Sequence, residues 1–196
     1  MSQVPDDEAL MVRVRRDDRG AFEILIRRYS TPFLTFLTRL LGDRGEAEDV
    51  FQEVWLAIWL KRAGFDATRK FRPWAYRVAA NRCADRSRRR ARPAPAGDLH
   101  LRAGPAAAPE AGVVRSEALS AADAAIRDLP PMQREIVVLR LYATLGYGEI
   151  ADILGVTEST ARSNMSLALR SLRKRLEPWV NDSTGQERTH DHAARG

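Results

Sequence analysis

The chain has a single cysteine, Cys83, among its 196 residues. One thiol cannot close an internal disulfide or build a zinc site from several thiolates, and its simplest reading is a small apolar residue on a helix. No apolar run approaches the roughly 20 residues that a membrane span needs. A secretory leader is disfavoured too, because Asp6, Asp7 and Glu8 stand near the start. No phosphate-cradling glycine loop, nucleophile elbow or paired histidine ligand set occurs, so no enzyme activity, cofactor or metal is expected. His190 and His192 are close in sequence but lack the nearby carboxylates that would strengthen a metal reading. The reading at this point is a non-membrane, cytoplasmic protein.

What is present is an ordinary globular composition, 44% hydrophobic and 30% charged, which supports a packed core. Charge is distributed unevenly. Residues Met1 to Leu60 carry 8 Lys+Arg against 11 Asp+Glu, whereas Lys61 to Arg92 carry 12 against 2. A polyanionic partner would be drawn to that second block.

Punctuation divides the chain. From Arg92 the sequence reads RPAPAGDLHLRAGPAAAPEAGV, rich in Pro, Ala and Gly and without apolar periodicity, which predicts a linker over 92–115. Before it, over 1–91, the spacing predicts an all-α domain. Phe22, Leu25, Ile26, Tyr29, Phe33, Phe36, Leu37 and Leu40 recur at helical intervals over Ala21 to Leu41, with Pro32 as a possible kink. A second long helix is predicted over Glu46 to Lys61 and a third from Arg72 to about Arg90, with Pro73 in its first turn. After the linker, over 116–180, helices are predicted at Ser116 to Arg127, from Pro131 to about Tyr142, and as a closing pair. The polar, aromatic-free tail 181–196 is expected to be disordered. The fold class is therefore all-α: two small helical domains joined by a flexible linker.

The closing pair has the pattern of a helix-turn-helix. Tyr147 to Leu154 forms the first helix, Gly155-Val156-Thr157 the turn and Glu158 to Leu176 the second, with Thr157 placed to cap it. Ala151, Gly155 and Ala161 are small where the helices would come closest, and Gly155 can take the positive φ that a tight turn after a helix demands. At 100° per residue from Glu158, Ala161, Met165, Ala168, Leu169, Leu172 and Leu176 gather on one arc that should face the core. The adjacent arc holds Ser159, Arg162, Ser163, Ser166, Arg170 and Arg173, all donors and none acidic. Such a face suits a major groove, with Arg162 and Ser163 foremost for base reading. Glu158 is more simply a partner of the helix dipole.

The third helix of the first domain, FRPWAYRVAANRCADRSRRRAR, interleaves aromatic with basic residues. Arginines attract phosphates while aromatics can receive unstacked bases, although at least one of Trp74 and Tyr76 should be core. The preceding helix carries Glu46, Glu48, Asp49 and Glu53 without a histidine nearby, which favours a solvated or partner-binding face over a metal site.

Three stretches in order, AEDVFQEVWLAIW, FRPWAYRVAANRCADRSRRR and LPPMQREIVVLRLYATLGYGEIADILGVTESTARSNMSLALRSLRKRL, resemble a sigma factor of the extracytoplasmic-function group, from roughly Ala21 to Leu176. The resemblance implies a subunit that binds core RNA polymerase and directs promoter recognition and strand opening. By position, Asp49, Val50, Gln52, Glu53 and Trp55 would meet the clamp helices of the largest polymerase subunit. Arg69, Lys70, Arg72, Trp74, Arg77 and Asn81 would lie at the minus-10 element, where the family captures a flipped base. Ser159, Thr160, Arg162, Ser163, Asn164, Ser166 and Arg170 would read the minus-35 element as duplex. An anti-sigma partner is a further family expectation. The chain departs from its relatives at Asn164 and Leu167, where a basic residue is common, so promoter sequence cannot be copied from them. Two rivals explain less. A regulator binding duplex operators accounts for the C-terminal half but leaves the aromatic-basic helix unexplained, and a nucleic-acid enzyme lacks any catalytic motif.

Overall fold

A computed structural model describes residues 5–91 and 113–187; for residue 91, residues 113–116, residue 118 and residues 180–187 only the backbone is considered. The order is α1 (Asp7–Val14), α2 (Arg19–Leu41), α3 (Arg44–Lys61), a 3-10 turn (Arg62–Gly64), α4 (Phe71–Ala91), α5 (Val113–Arg127), α6 (Pro131–Leu141), α7 (Tyr147–Leu154) and α8 (Glu158–Glu187). Among the described residues there is no strand, and no helix is long and apolar enough to cross a membrane.

Aspartates start the first three helices by accepting from a free N–H of the first turn. Asp6 takes the N–H of Ala9 at 2.7 Å, Asp18 that of Ala21 at 3.0 Å, and Asp43 that of Glu46 at 2.7 Å. The Ala21 N–H, and after it Arg13, hold the Asp18 carboxyl below its usual range. For α4 the acceptor comes from far away, since Glu8 of α1 takes the N–H of Phe71 at 2.9 Å. Pro131 opens α6 as expected.

The first module is centred on rings. Phe33 of α2 is fully buried, with Tyr29 at 5.3 Å, Trp55 of α3 at 5.5 Å and Tyr76 of α4 at 4.8 Å between centroids. Pro32 lies within α2, which runs unbroken as one helix rather than a pair. The short α1, not foreseen from sequence, closes the bottom of this core with Leu10, Met11 and Val14, all fully buried. In the second module Ile136, Val137, Val138 and Leu139 are all buried because α6 is covered by α8 on one flank and by α2 on another. That two-sided burial produces the continuous apolar run that resembles a strand in composition.

Several boundaries shift. The linker expected over 92–115 lies outside the described residues except for its last three, which already belong to α5. The helix after Gly155 does not end near Leu176 or give way to irregular chain at Asn181; α8 continues to Glu187 past Pro178. Extending an existing helix is far cheaper than starting one, so a polar segment can follow it without packing. Residues 188–196, including His190 and His192, lie outside the described residues. Leu169, expected in the core, is 48% exposed, because it sits at the edge of the apolar stripe beyond the reach of α5, α6 and α7.

Gly155 ends α7 with φ at 68°, and no atom lies within 4 Å of where a Cβ would project. It takes the positive φ expected of it after a helix, while the close helix approach also expected there falls to Ala151 and Ala161, which are buried. Gly148 is helical, and a Cβ there would meet only Glu158 Oε2 at 3.7 Å. Opposite signs follow. Gly155→Ala should cost about 1–2 kcal/mol for a left-handed non-glycine residue, while Gly148→Ala should gain about 0.5–1 kcal/mol in helix propensity. Urea unfolding of both variants checks this; a shift of the same sign in both would count against it.

Candidate nucleic-acid interface

Two surfaces stand out from the packed bundle. The first is the start of α4. Trp74 is half-buried, standing on Phe65 at 5.1 Å and Phe71 at 6.0 Å between ring centroids, while Arg69, Lys70, Arg72, Arg77 and Asn81 are exposed around it. Tyr76 is core: it is buried against Phe33 and Phe36, and burial pushes its phenol up to about 12. Trp74 is thus the aromatic that keeps an accessible face. Two of the nearby cations are only loosely engaged, with Arg69 3.7 Å from Asp66 and Lys70 3.8 Å from Glu8. Exposed pairs at such distances are worth little and yield readily to a competing phosphate.

Part of the rest of the basic block is held by acidic partners. Along the second half of α4, Arg86 reaches Asp49 at 3.3 Å and Glu53 at 3.8 Å, and Arg90 reaches Glu46 at 3.0 Å. The acidic helix α3 and the basic helix α4 therefore neutralise each other laterally. Both the free polyanion site and the unsatisfied acidic face suggested by composition are smaller than residue counts imply.

On α3, Asp49 and Gln52 are exposed and Glu53 is partly so, but Val50 is fully buried and Trp55 is 5% exposed. Val50 packs inward, and Trp55 lies among the rings of Phe22, Phe33 and Phe51. Neither side chain is available on the surface assigned to polymerase, a correction of the expectation for these two. They share the α3 sequence motif because they build the helix's inner face. Exposed on the outer face instead are Leu56 and Leu60, at 59% and 67%. Their apolar i, i+4 spacing was legible, but on a helix this hydrophobic it does not separate inner from outer face.

The second surface is the first half of α8. Thr157 caps the helix by accepting the N–H of Thr160 at 3.1 Å, with the two hydroxyls 2.8 Å apart. Ser159, Arg162, Ser163, Ser166 and Arg170 are exposed together on one arc. Thr160 and Asn164 lie on a different arc, and both serve the helix itself, since Asn164 Nδ2 donates to the Thr160 carbonyl at 3.0 Å. Arg162 is held from two sides. Its Nε donates to Glu158 at 3.1 Å and its guanidinium sits 4.6 Å over the ring of Tyr147 in α7. Tyr147 also receives Arg140 at 5.1 Å. Sequence reasoning missed Tyr147 as a platform because the pairing crosses two helices.

A feature that no motif announces joins the two surfaces. The N- and C-terminal modules share one continuous core, in which α2 packs on α5 and α6, and α4 packs on α7. Arg77 of α4 donates to the Asp152 carbonyl of α7. Glu135 of α6 is raised above the ordinary glutamate range, chiefly by burial, at this junction.

Comparison with known proteins agrees with both halves. Residues 25–93 match the family described as Sigma-70 region 2, and residues 119–172 match Sigma-70, region 4. The chain is 30% identical over 179 residues to the ECF RNA polymerase sigma factor SigW of Bacillus subtilis, covering 84% of this chain and 93% of that one. It is 31% identical over 180 residues to the ECF RNA polymerase sigma factor SigK of Mycobacterium ulcerans, covering 88% and 94%. Among solved structures, CnrH in complex with the cytosolic domain of CnrY has the same fold, with a TM-score of 0.68 at 22% identity over 88% of this chain and 97% of that one. The sigma factor RpoE in complex with the anti-sigma factor NepR from Bartonella quintana follows at 0.62 and 20%, covering 80% and 96%.

Proposed function

The chain belongs to the extracytoplasmic-function group of sigma-70 RNA polymerase sigma factors, and from that membership we propose how its surfaces divide the work of promoter recognition. As a sigma factor it binds core polymerase and directs initiation at promoters; the rival reading, a regulator of duplex operators, leaves the region 2 match without a purpose. The α3 face built by Asp49, Gln52 and Glu53, extended by Leu56 and Leu60, docks on the clamp helices of the largest polymerase subunit. The start of α4, with Arg69, Lys70, Arg72, Trp74, Arg77 and Asn81, holds the minus-10 element as a single strand. Ser159, Arg162, Ser163, Ser166 and Arg170 read the minus-35 duplex, and Thr160 and Asn164 support that helix start.

The observation that carries this division is the pairing of two chemically different surfaces in one chain. Accessible Trp74 among exposed cations suits exposed bases, whereas the donor face of α8, with Arg162 oriented by Glu158 and Tyr147, suits a major groove. The work is binding, not catalysis: opening draws on the free energy of holding flipped bases, with no need of nucleotide hydrolysis. The chain acts where polymerase and chromosome are, in the cytoplasm. An anti-sigma protein, as NepR is for RpoE, is its expected regulator. Residues 1–91 and 116–180 constitute the two functional modules.

Run-off transcription from a promoter library with core polymerase tests the whole. Transcripts should depend on the added chain, Arg162→Ala should relax base preference in the minus-35 region by about 1–3 kcal/mol at the contacted position, and Asp49→Ala should weaken polymerase binding while leaving that preference intact. If both variants shifted both readouts equally, the division of labour would be wrong.

A further inference from the structure

An arginine exposed on a helix is a versatile donor but a poor discriminator, because a free guanidinium reaches phosphates as readily as base edges. Arg162 is exposed, yet it is engaged in two directions. In the plane of the guanidinium, Nε and Nη2 both donate to Oε1 of Glu158, the former at 3.1 Å. On its face, Cζ stands 4.6 Å from the centroid of the Tyr147 ring. Each hold is weak alone at an exposed site. Together they restrict both the rotation and the tilt of one group.

Both partners are themselves placed by the fold. Tyr147 opens α7 and packs partly against the core. The turn before it is tied down by Arg140 of α6, whose Nη1 donates to the Leu145 carbonyl at 2.8 Å and whose guanidinium lies 5.1 Å from the same ring. Glu158 stands one turn before Arg162 on α8. Its Oε2 lies over Gly148 of α7, 3.7 Å from where a Cβ would stand.

With the Nε–Nη2 edge taken by Glu158, the outer edge, Nη1 with the second proton of Nη2, is the one left to a ligand. Two parallel N–H groups match the O6 and N7 acceptors of guanine, and no other base presents two adjacent acceptors in the major groove.

We propose that Tyr147 and Glu158 are specificity-determining positioning residues, which hold Arg162 with its outer edge toward the base pairs so that one minus-35 position is read as guanine. The proposal rests on assigning the α8 face to the minus-35 duplex. The hold raises discrimination more than affinity. A guanidinium fixed before binding loses less freedom when it meets guanine, and one that cannot swing gains little from a wrong base or a neighbouring phosphate. Glu158 works against affinity as such, because its charge faces the same polyanion.

Holoenzyme formed from the full-length chain and core polymerase tests this, by competition binding of promoter duplexes that differ at single minus-35 base pairs. The position where Arg162→Ala flattens the preference identifies the contacted pair. There the wild type should favour guanine. Tyr147→Phe, which keeps the ring face, should retain most of that preference, while Tyr147→Leu, which keeps apolar bulk, should lower it roughly two- to tenfold. Glu158→Ala should tighten binding of duplexes that lack the guanine, with discrimination reduced to a similar degree, and it serves if Tyr147→Leu proves poorly folded by circular dichroism. A merely structural role would weaken all duplexes alike. That result, or full discrimination in folded Tyr147→Leu and Glu158→Ala, would overturn the positioning and leave Arg162 as the reader. Tyr147→Phe falling as far as Tyr147→Leu would move the effect to the hydroxyl and overturn the platform. Preference for a base other than guanine would overturn the orientation given to Arg162. If Arg162→Ala flattened no position, the base-reading assignment would go and the proposal with it.

Discussion

Phe33→Ala is expected to lower the unfolding free energy by about 3–5 kcal/mol. Phe33 is fully buried and is the ring through which α2 meets both α3, by Trp55, and α4, by Tyr76. Truncation removes the apolar transfer energy and leaves a hole among rigid rings that cannot rotate to fill it, since Tyr76 is itself wedged against Phe36 at 5.0 Å. For a domain whose total stability is about 5–15 kcal/mol, such a loss removes a large share. Both proposed surfaces of the first module would weaken together, because α3 and α4 both pack on this side chain. Leu56→Ala is the control: an exposed leucine should change stability by no more than about 0.5 kcal/mol. Chemical denaturation monitored by circular dichroism decides. A Phe33→Ala midpoint close to wild type would mean that the ring cluster is not what joins the three helices.

On the proposed assignment, Trp74→Ala should weaken strand capture by the energy of one stacked base, about 1–3 kcal/mol, or roughly 5- to 150-fold. Trp74 is partly buried, so alanine also removes contacts with Phe65 and Phe71. Trp74→Phe separates the two effects, because it keeps a ring for stacking and much of the packing. The expected order in permanganate reactivity of unpaired thymines, in complexes of promoter DNA with polymerase and this chain, is wild type, then Phe, then Ala far below. Recruitment to duplex promoter DNA should be much less affected, since Trp74 is not among the α8 residues assigned to the duplex. If Trp74→Ala opened promoters as well as wild type, the base would be held elsewhere.

Much of the local structure was written in the chain. Thr157 caps α8 where the sequence places it, and Pro131 and Gly155 mark a start and a stop by backbone constraint alone, whereas Asp18 and Asp43 cap α2 and α3 at Arg19 and Arg44, ahead of the starts that apolar spacing gave at Ala21 and Glu46. The exposed arc of α8 followed from 100° geometry, since five of its residues needed only their own helix to be placed. What was not legible depended on partners distant in sequence. Helix α1 buries Leu10, Met11 and Val14 in barely two turns, too short for periodicity to register, and it exists because α2 and α4 receive it. Val50 and Trp55 belong to the motif on which the family resemblance rests, yet only the packing of α2 reveals that they point inward. The neutralisation of α3 by α4 involves residues about forty positions apart, which no local window connects. The packing between the modules is of the same kind: nothing in either half announces that α7 lies against α4.

The shared guanidinium of Arg86 ties the face of α3 proposed for polymerase to the second half of α4, and a phosphate drawn to that half would compete for it. It bridges Asp49 and Glu53, two of the acids assigned to polymerase, from a helix whose other end is assigned to DNA. A protein partner that recruits Asp49 releases part of the hold on Arg86, and a phosphate that recruits Arg86 releases Asp49. Each event lowers the work of the other, and by reciprocity the two factors are equal. The chain would then act as a small heterotropic device, in which commitment to polymerase and affinity for a phosphate at that half of α4 rise together.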